Sequence, residues 1–273
     1  MEIISVGSSS SGNSYIILTD ESTIILDVGL PARKIMAALD EAGRSPEDVS
    51  AVLITHEHTD HVKSVRAVGR KCINAVFYAS LGTVENTKNF EYIDKDRIGI
   101  VSAGDSFSLG DAEIVSFKLS HDAAEPLGFT VASGGTKLAV VTDCGTVTDE
   151  IYDAVCDADI LVFESNHDEN MLMYGAYPYP LKVRIKSDYG HLSNESAGNA
   201  LAALIKRRKS VNREKETGPL RIVLAHLSFN NNAPFFARRT VEGALSEAGF
   251  EKEIDYYLEI ASKDEIMTVG NAM

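Results

Sequence analysis

Cysteine is scarce in this sequence, and so are long hydrophobic runs. The three cysteines, Cys72, Cys144 and Cys156, show no CxxC spacing. This argues against a disulfide framework and favours small buried thiols. No apolar run approaches the roughly 20 residues that span a bilayer. The first residues, MEIISVGSSSSGNS, lack the basic and apolar regions of a signal peptide, so we expect a cytoplasmic protein.

Positive charge is also scarce. The 273 residues contain 26 Lys and Arg against 40 Asp and Glu, which gives a formal net charge of −14. This balance argues against a protein that coats nucleic acid through a general basic surface. It leaves room for a nuclease, because bound metal ions supply local positive charge where a phosphate must sit. Any polyanionic substrate would also need a local basic patch.

The hydrophobic pattern predicts an α/β protein with two mixed sheets and outer helices. Hydrophobic residues make up 44% of the chain, enough for a sizeable core. Predicted strands come first as antiparallel pairs and later alternate with predicted helices, which is typical of this class. No linker or repeat divides the chain, so we expect a single domain over residues 1–273. The main predicted helices cover residues 31–43, 62–71, 148–155, 194–208 and 234–248.

The segment THEHTDH, residues 55–61, dominates the chemistry of the sequence. It follows a buried strand-like run and precedes a predicted helix, and it offers His56, His58, Asp60 and His61 as ligands. On a strand-to-helix turn these side chains can fan out toward two metal positions. Imidazole and carboxylate suit zinc, manganese or iron. A solvated polar loop rarely collects this set, so the motif predicts a metal site.

Three further polar residues stand at the ends of predicted buried strands. Ligand sites in α/β sheets favour the carboxyl ends of strands. A lone histidine there is usually structural, but beside a four-ligand motif the set indicates further metal ligands. The three residues are His121, Asp143 and His226.

Together these segments resemble the metallo-β-lactamase superfamily. The matching motifs are ILDVG with Asp27, THEHTDH, His121, VVTDCG with Asp143, and AHLS with His226. The resemblance implies a four-layer αββα sandwich without an inserted β-CASP domain, because only 82 residues separate Asp143 from His226. It implies two divalent metals, zinc or manganese and less readily iron. One would bind His56, His58 and His121, the other would bind Asp60, His61 and His226, and Asp143 would bridge them. Asp27 would support the loops and Glu57 would point to solvent.

Shorter motifs resemble the YycJ/WalJ family in particular. They are GSSSSGNSY near the start, ESNHD at 164–168, GHLSN at 190–194, and HLS at 226–228 followed by Asn231 and Asn232. This resemblance implies a phosphodiesterase that acts as a 5′–3′ exonuclease on DNA. RNA is an alternative substrate, and the oligomeric state is open.

An outline similarity to tRNase Z implies a general acid. In that pattern Glu164 orients His191, and His191 protonates the leaving oxygen of a cleaved phosphodiester. The alternative is that His191 merely caps the helix that begins near Ser193. No long arm for gripping tRNA is identifiable, which makes processing of tRNA ends a weaker expectation.

Substrate contacts are predicted in three places. The Ser/Gly-rich loop offers Ser10 and Asn13, because backbone N–H groups in such turns can bind phosphate. The basic residues Lys182 and Arg184 precede His191 in the chain. His167 either lines the site or anchors its loop.

The mechanism that these residues imply is two-metal hydrolysis of a phosphodiester. A hydroxide shared by the metals attacks phosphorus, Asp60 orients it, and His191 protonates the leaving group. The main alternative is a carbonyl hydrolase such as a thioesterase or lactonase, in which the Glu164/His191 pair lacks an obvious role. A flavin-linked redox enzyme is disfavoured because His58 stands where such relatives carry glutamate.

Overall fold

The computed structural model describes residues 1–211 and 218–269. Their packing forms two compact units. Unit 1 comprises Met1–Lys118, Ala123–Gly135 and the C-terminal segment from Ser262. Unit 2 comprises Leu119–Asp122 and Thr136–Ala261. Within the described residues no helix has the length and apolar character that a membrane span requires.

Unit 1 contains a seven-stranded mixed sheet. Its strands in chain order are β1 (Glu2–Ser9), β2 (Gly12–Leu18), β3 (Thr23–Leu26), β4 (Val49–Leu53), β5 (Val76–Ala79), β6 (Ile98–Ile100) and β14 (Met267–Val269). Their order across the sheet is β14-β1-β2-β3-β4-β5-β6. The strands from β14 to β3 pair antiparallel, and those from β3 to β6 pair parallel.

The register of β3 and β4 positions the residues that follow them. Leu26 lies opposite Leu53 in this parallel pair. The chain therefore leaves both strands at the same sheet edge, and the Asp27 N–H donates to the Leu53 carbonyl at 2.8 Å. The histidine motif begins two residues later, at Thr55.

Helices of unit 1 pack on one face of this sheet. They are α1 (Ala32–Glu41), α2 (Thr59–Val62), α3 (Val65–Lys71) and α4 (Leu81–Glu85). Ile35 and Leu39 of α1 and Val68 of α3 belong to one buried cluster with strand residues such as Ile16 and Val52. Burying their apolar side chains holds the sheet edge, and the turns that leave it, in a fixed place.

The second sheet has the strand order β13-β12-β11-β10-β9-β8-β7. Its antiparallel strands are β7 (Ser106–Leu109), β8 (Ala112–Lys118) and β9 (Leu127–Ser133). Its parallel strands are β10 (Thr136–Val141), β11 (Ile160–Glu164), β12 (Leu220–Ala225) and β13 (Tyr256–Ile260).

The parallel strands of unit 2 are joined by helices. These are α5 (Asp149–Val155), α6 (Glu169–Tyr174), α7 (Tyr179–Ile185), α8 (Asn194–Val211) and α9 (Pro234–Glu247). Val141 lies opposite Phe163, and Glu164 lies opposite Ala225. Asp143, Glu164 and His226 therefore stand at the carboxyl ends of three neighbouring strands.

The predicted α/β class with two mixed sheets is confirmed. One predicted helix, 62–71, was wrong in its extent, because the helical turn α2 already begins at Thr59 and a break at Ser64 separates it from α3. The sequence reading also missed α6 and α7, which are only six and seven residues long. Segments this short hold too few apolar repeats to reveal a helical period.

Candidate metal centre

In unit 1 the turn between β4 and α2 gathers three imidazoles. The His56 ring centroid lies 4.6 Å from that of His58 and 4.2 Å from that of His61. His56 and His61 are fully buried. The Nε2 atom of His61 lies 3.5 Å from a carboxylate oxygen of Asp60. Histidines are rarely clustered in a core without a ligand, so this arrangement suits a metal ion.

Asp27 and Thr55 orient two of these histidines. Asp27 Oδ2 lies 2.7 Å from His61 Nδ1, and Asp27 Oδ1 accepts from the Thr55 N–H at 2.9 Å. The Thr55 hydroxyl donates to Asp27 Oδ2 at 2.9 Å and lies 3.0 Å from His56 Nδ1. A carboxylate only accepts, so Nδ1 of His61 carries its proton. The hydroxyl, already donating, accepts from Nδ1 of His56. Asp27 thus has the supporting position expected of it.

Gly29 allows the backbone of the histidine motif to approach closely. A Cβ atom on Gly29 would lie 1.5 Å from the Asp60 carbonyl oxygen and 2.9 Å from the His61 nitrogen. The neighbouring Val28 N–H donates to the His61 carbonyl at 2.8 Å. Only glycine fits where two backbone segments lie this near to one another.

The Ser/Gly-rich loop joins β1 to β2 beside the motif. The Asn13 side-chain nitrogen lies 3.2 Å from His61 Nε2, and its oxygen accepts from the Ser8 hydroxyl at 2.8 Å. Asn13 is fully buried, whereas Ser10 is exposed at the turn. Asn13 therefore contacts a predicted ligand and braces its own loop.

The expectation that Glu57 points to solvent was wrong. One carboxylate oxygen of Glu57 accepts from the Ala124 N–H at 2.7 Å, and the other is buried. The side chain turns back to hold the segment that precedes β9, because that backbone N–H offers a hydrogen bond.

In unit 2 Asp143 lies close to two histidines. Its Oδ1 atom is 3.4 Å from His226 Nε2 and 3.7 Å from His121 Nε2. The Gly190 carbonyl lies 3.1 Å from His121 Nδ1 and so accepts its proton. All three side chains are buried. One carboxylate facing two Nε2 atoms is a donor set for a divalent metal.

Glu164 binds two histidines and two backbone N–H groups of unit 2. Oε1 lies 2.8 Å from His191 Nδ1 and 2.9 Å from His226 Nδ1. Oε2 accepts from the Cys144 N–H at 2.8 Å and from the Leu192 N–H at 3.2 Å. Burial by itself would raise the pKa of Glu164, but electrostatic attraction and hydrogen bonds from His191 and His226 outweigh it and lower the pKa. Glu164 is therefore ionised and fixes both imidazoles.

His191 is held by Glu164 and does not cap helix α8. The Ser193 hydroxyl accepts from the Ser196 N–H at 3.1 Å, which is an N-cap bond. The His191 ring stacks on that of His226 at 5.2 Å between centroids and is 16% exposed. The capping alternative is wrong, and His191 keeps an edge that faces solvent.

Four histidines share one tautomer. In His56, His61, His121 and His226 the Nδ1 atom donates to a hydroxyl, a carboxylate or a backbone carbonyl. Nε2 is then the atom with the lone pair in each ring. Metal-binding histidines use this arrangement, in which a second group fixes the ring and directs the other nitrogen to the metal. The donors of both units therefore fit divalent metal ions.

The sequence comparisons agree with this chemistry. The family model for the beta-lactamase superfamily domain matches residues 23–211. The chain is 39% identical to an exodeoxyribonuclease YycJ of Bacillus anthracis, over 90% of this chain and 89% of that protein. It is 36% identical to an exodeoxyribonuclease WalJ of Streptococcus pneumoniae, over 95% and 93%. The chain belongs to the metallo-β-lactamase superfamily, and within it to the YycJ/WalJ family.

Solved structures confirm the superfamily's fold. The metallo-β-lactamase fold protein YhfI of Bacillus subtilis matches with a TM-score of 0.68 at 15% identity, covering 98% of both chains. The short form of human tRNase Z matches with a TM-score of 0.59 at 14% identity, again covering 98% of both. At such identities the likeness concerns the fold, and it bears out the predicted outline similarity to tRNase Z.

The two basic residues predicted to contact substrate, Lys182 and Arg184, bind other groups of unit 2. Lys182 donates to the carbonyls of Met173 and Gly175, each at 2.8 Å. Arg184 pairs with Asp122, which raises the pKa of the guanidinium. Both residues brace the segment before His191, and substrate contact by either stays a prediction.

His167 is buried beside the same segment. Its Nδ1 atom has no hydrogen-bond partner, and its backbone forms a bridge with Ser193. Burial lowers the pKa of its imidazole to about 4, which keeps it neutral at pH 7. Of the two roles predicted for His167, the backbone bridge supports anchoring its loop.

Cys144 is a buried thiol, as predicted for the three cysteines. Burial raises the pKa of the Cys144 thiol to about 12. A thiol that stays protonated at neutral pH is a poor nucleophile.

A buried amide network that sequence reasoning did not identify supports these loops. The Asn232 side-chain nitrogen donates to the carbonyls of Ser165 and Asn166 at 2.9 and 3.0 Å. Asn232 and Asn194 also bond to each other, and Asn166 donates to the His226 carbonyl at 2.9 Å. The dipeptides Ser-Asn at 193–194 and Asn-Asn at 231–232 were visible motifs, but nothing in the sequence shows that they meet.

Proposed function

We propose that this chain is a metal-dependent phosphodiesterase that shortens DNA from its 5′ end. The observation that carries the proposal is the Glu164–His191 pair, 2.8 Å apart with His191 partly exposed. Cleavage of a phosphodiester releases an alkoxide that needs a proton, and a positioned imidazole supplies one. A thiolate leaving group needs no such acid, so the pair favours a phosphodiester over a thioester. DNA is favoured over RNA because the relatives are named exodeoxyribonucleases.

The proposed cofactors are two divalent ions, zinc or manganese. One is assigned His56, His58 and His121, the other Asp60, His61 and His226, and Asp143 is shared. The shared tautomer of four of these histidines and the donor chemistry of both units support the assignment. When bound, such ions offset charge on the phosphate oxygens and promote ionisation of water.

The side chains of the chain itself have distinct tasks in this proposal. Asp60 accepts a hydrogen bond from the attacking water and so orients it. His191 binds Glu164 through Nδ1, which leaves Nε2 to protonate the leaving oxygen. Glu164 holds the ring in place through this bond at 2.8 Å. We assign Ser10 and Asn13 to the substrate side of the site and Lys182 and Arg184 to its basic rim. His167, also a candidate substrate contact, has the loop-anchoring role that its backbone bridge supports.

The test compares leaving groups in a His191→Ala variant. On 5′-labelled DNA the variant should lose about 10²–10⁴-fold in kcat, the usual contribution of a general acid. On bis(p-nitrophenyl) phosphate, whose leaving group needs no proton, the loss should be small. Metal content measured by mass spectrometry should equal that of the wild type.

Controls separate the parts of the proposal. An RNA strand of the same sequence tests DNA preference, and a 3′-label tests polarity. Equal losses on both phosphodiesters would remove His191 from the acid role. A wild-type enzyme that binds metal but cleaves neither DNA nor RNA would contradict the proposed function as a whole.

A further inference from the structure

Several large aromatic side chains of unit 2 are exposed to solvent. Tyr174, Phe229, Tyr179 and Phe235 expose between 65% and 88% of their surface. We call these four residues the aromatic surface. A group of exposed aromatic side chains often marks a binding site, because contact between large apolar groups and water costs free energy.

Hydrogen bonds join the two segments that carry the aromatic surface. The Asn230 side chain donates to the Tyr177 hydroxyl at 3.0 Å, and the Asp168 N–H donates to the Asn231 carbonyl at 2.9 Å. A Cβ atom on Gly175 would lie 2.9 Å from the Asn231 side-chain oxygen, so these backbones pack closely. Phe229 therefore stands beside the segment of Tyr174 and Tyr179.

The same two segments avoid negative charge. Residues 170–187 and 218–241 contain no Asp or Glu, in a chain with 40 acidic residues among 273. They hold Lys182, Arg184, Lys186, Arg238 and Arg239, and ion pairs with Asp122, Glu169 and Glu242 offset the charges of Arg184, Lys186 and Arg238. A polyanion is repelled by most of a surface with net charge −14, and it meets less repulsion here.

The aromatic surface is tied to the catalytic residues of unit 2. Phe229 follows His226 by three residues, and the loop between them is fixed by the Ser228 N–H, which donates to the Asn166 carbonyl at 2.8 Å. Asn166 in turn binds the His226 carbonyl. A ligand that contacts Phe229 would thus lie near His226 and the loop that holds it.

We propose that the aromatic surface stacks unpaired bases of the DNA strand whose end is cleaved, an inference that rests on the proposed function. Every base has a flat π-face, and stacking on aromatic rings gives single-strand binding without sequence preference. Met173 and Val183 of these segments are also exposed, but the four most exposed apolar side chains here are rings, which suit bases better than aliphatic groups do. The low acidic content suits the phosphates between the stacked bases.

The test uses the lack of tryptophan in this chain. A Phe229→Trp variant carries a single tryptophan, whose fluorescence a stacked base quenches. We expect quenching by a short phosphorothioate oligothymidylate, which resists cleavage, and none by an abasic strand of equal length and charge. The matched control is Tyr92→Trp, which replaces an exposed aromatic residue of unit 1 and should show no quenching.

Affinity measurements distinguish stacking from general apolar contact. By anisotropy, Phe229→Tyr should bind the oligonucleotide as the wild type does, whereas Phe229→Leu should bind about tenfold more weakly. Equal affinity of the leucine variant, or quenching by the abasic strand, would overturn the proposal. A dimer that is detected by ultracentrifugation and is broken by Phe229→Ala would also overturn it, because Phe229 would then be covered by a second copy of the chain. If the wild type shortens DNA but the Phe229→Trp variant shows no quenching by the oligothymidylate, the stacking role of the aromatic surface is wrong while the proposed function stands.

Discussion

Asp27, Asp143 and His226 share a backbone conformation that side chains rarely adopt. Their φ angles are 57°, 58° and 56°. Left-handed backbone costs free energy outside glycine, and such residues concentrate at functional sites. Each of the three follows directly after a strand or one residue beyond it, where the chain turns sharply. The conformation directs each side chain over the strand end.

At the residue scale the sequence indicated which residues belong to the candidate site, but not which side chains contact one another there. His56, Asp143 and His226 were identified because ionisable side chains that follow apolar strands usually have a structural or functional role. The second use of Glu164, as a partner of His226, was not predictable, since residues 62 positions apart reveal no contact in a single sequence. Glu57 was misplaced for the same reason.

Gly29→Ala should weaken both folding and metal binding. The added Cβ would overlap the Asp60 carbonyl, so the histidine turn must move. We expect a loss of about 1–3 kcal/mol in the free energy of unfolding, typical of an overpacked site. Urea unfolding and metal content after dialysis measure the two effects. Gly243→Ala, in helix α9 with open space around it, should be neutral or stabilising, and an equal response of both variants would contradict the explanation.

At the scale of elements, helix α8 and two loops are joined by amide side chains. Asn194 begins α8, Asn166 follows β11 and Asn232 precedes α9. Hydrophobic periodicity predicted α8 and α9 because they are long. The network between them was not predictable, because asparagine is also an ordinary turn residue.

Asn232→Ala should destabilise the protein and disturb His226. The change removes the Asn232 donor from the Ser165 carbonyl and leaves the Asn166 carbonyl with the Ser228 N–H alone. A buried polar group without a partner costs about 1–3 kcal/mol, so thermal unfolding should shift downward. Asn86→Ala is the control, since Asn86 is an exposed amide that bonds only the Gly82 carbonyl. A shift no larger than that of the control would show that the network is dispensable.

At the scale of the whole molecule, composition and motif order predicted the fold class, and the unit boundaries were not predictable. The segment Ala123–Gly135 belongs to unit 1 while its flanking residues belong to unit 2. The composition of the sequence does not reveal where the chain passes from one unit to the other, because both units have the same α/β pattern. The superfamily, by contrast, was readable from THEHTDH together with His121, Asp143 and His226 at predicted strand ends, since metal binding dictates residue types and spacing.

Asp111 should make stability depend on pH in the acid range. Hydrogen bonds from Thr19 at 2.5 Å and Ser133 at 2.7 Å lower the pKa of its carboxyl from 3.8 to about 2. The folded state therefore binds the proton less tightly than the unfolded chain. The contribution is complete above pH 3.8 and is lost as pH falls to about 2. The difference in unfolding free energy between the wild type and Asp111→Asn should shrink across that window. A difference independent of pH would contradict the assignment.

Glu164 has one consequence for anyone who redesigns this enzyme. The same oxygen holds His191 and His226, and the opposite oxygen holds two backbone N–H groups. In the proposed function His226 binds a metal and His191 delivers a proton, so a substitution at Glu164 should change metal preference and proton delivery together. A designer who wants to change one without the other must leave Glu164 in place.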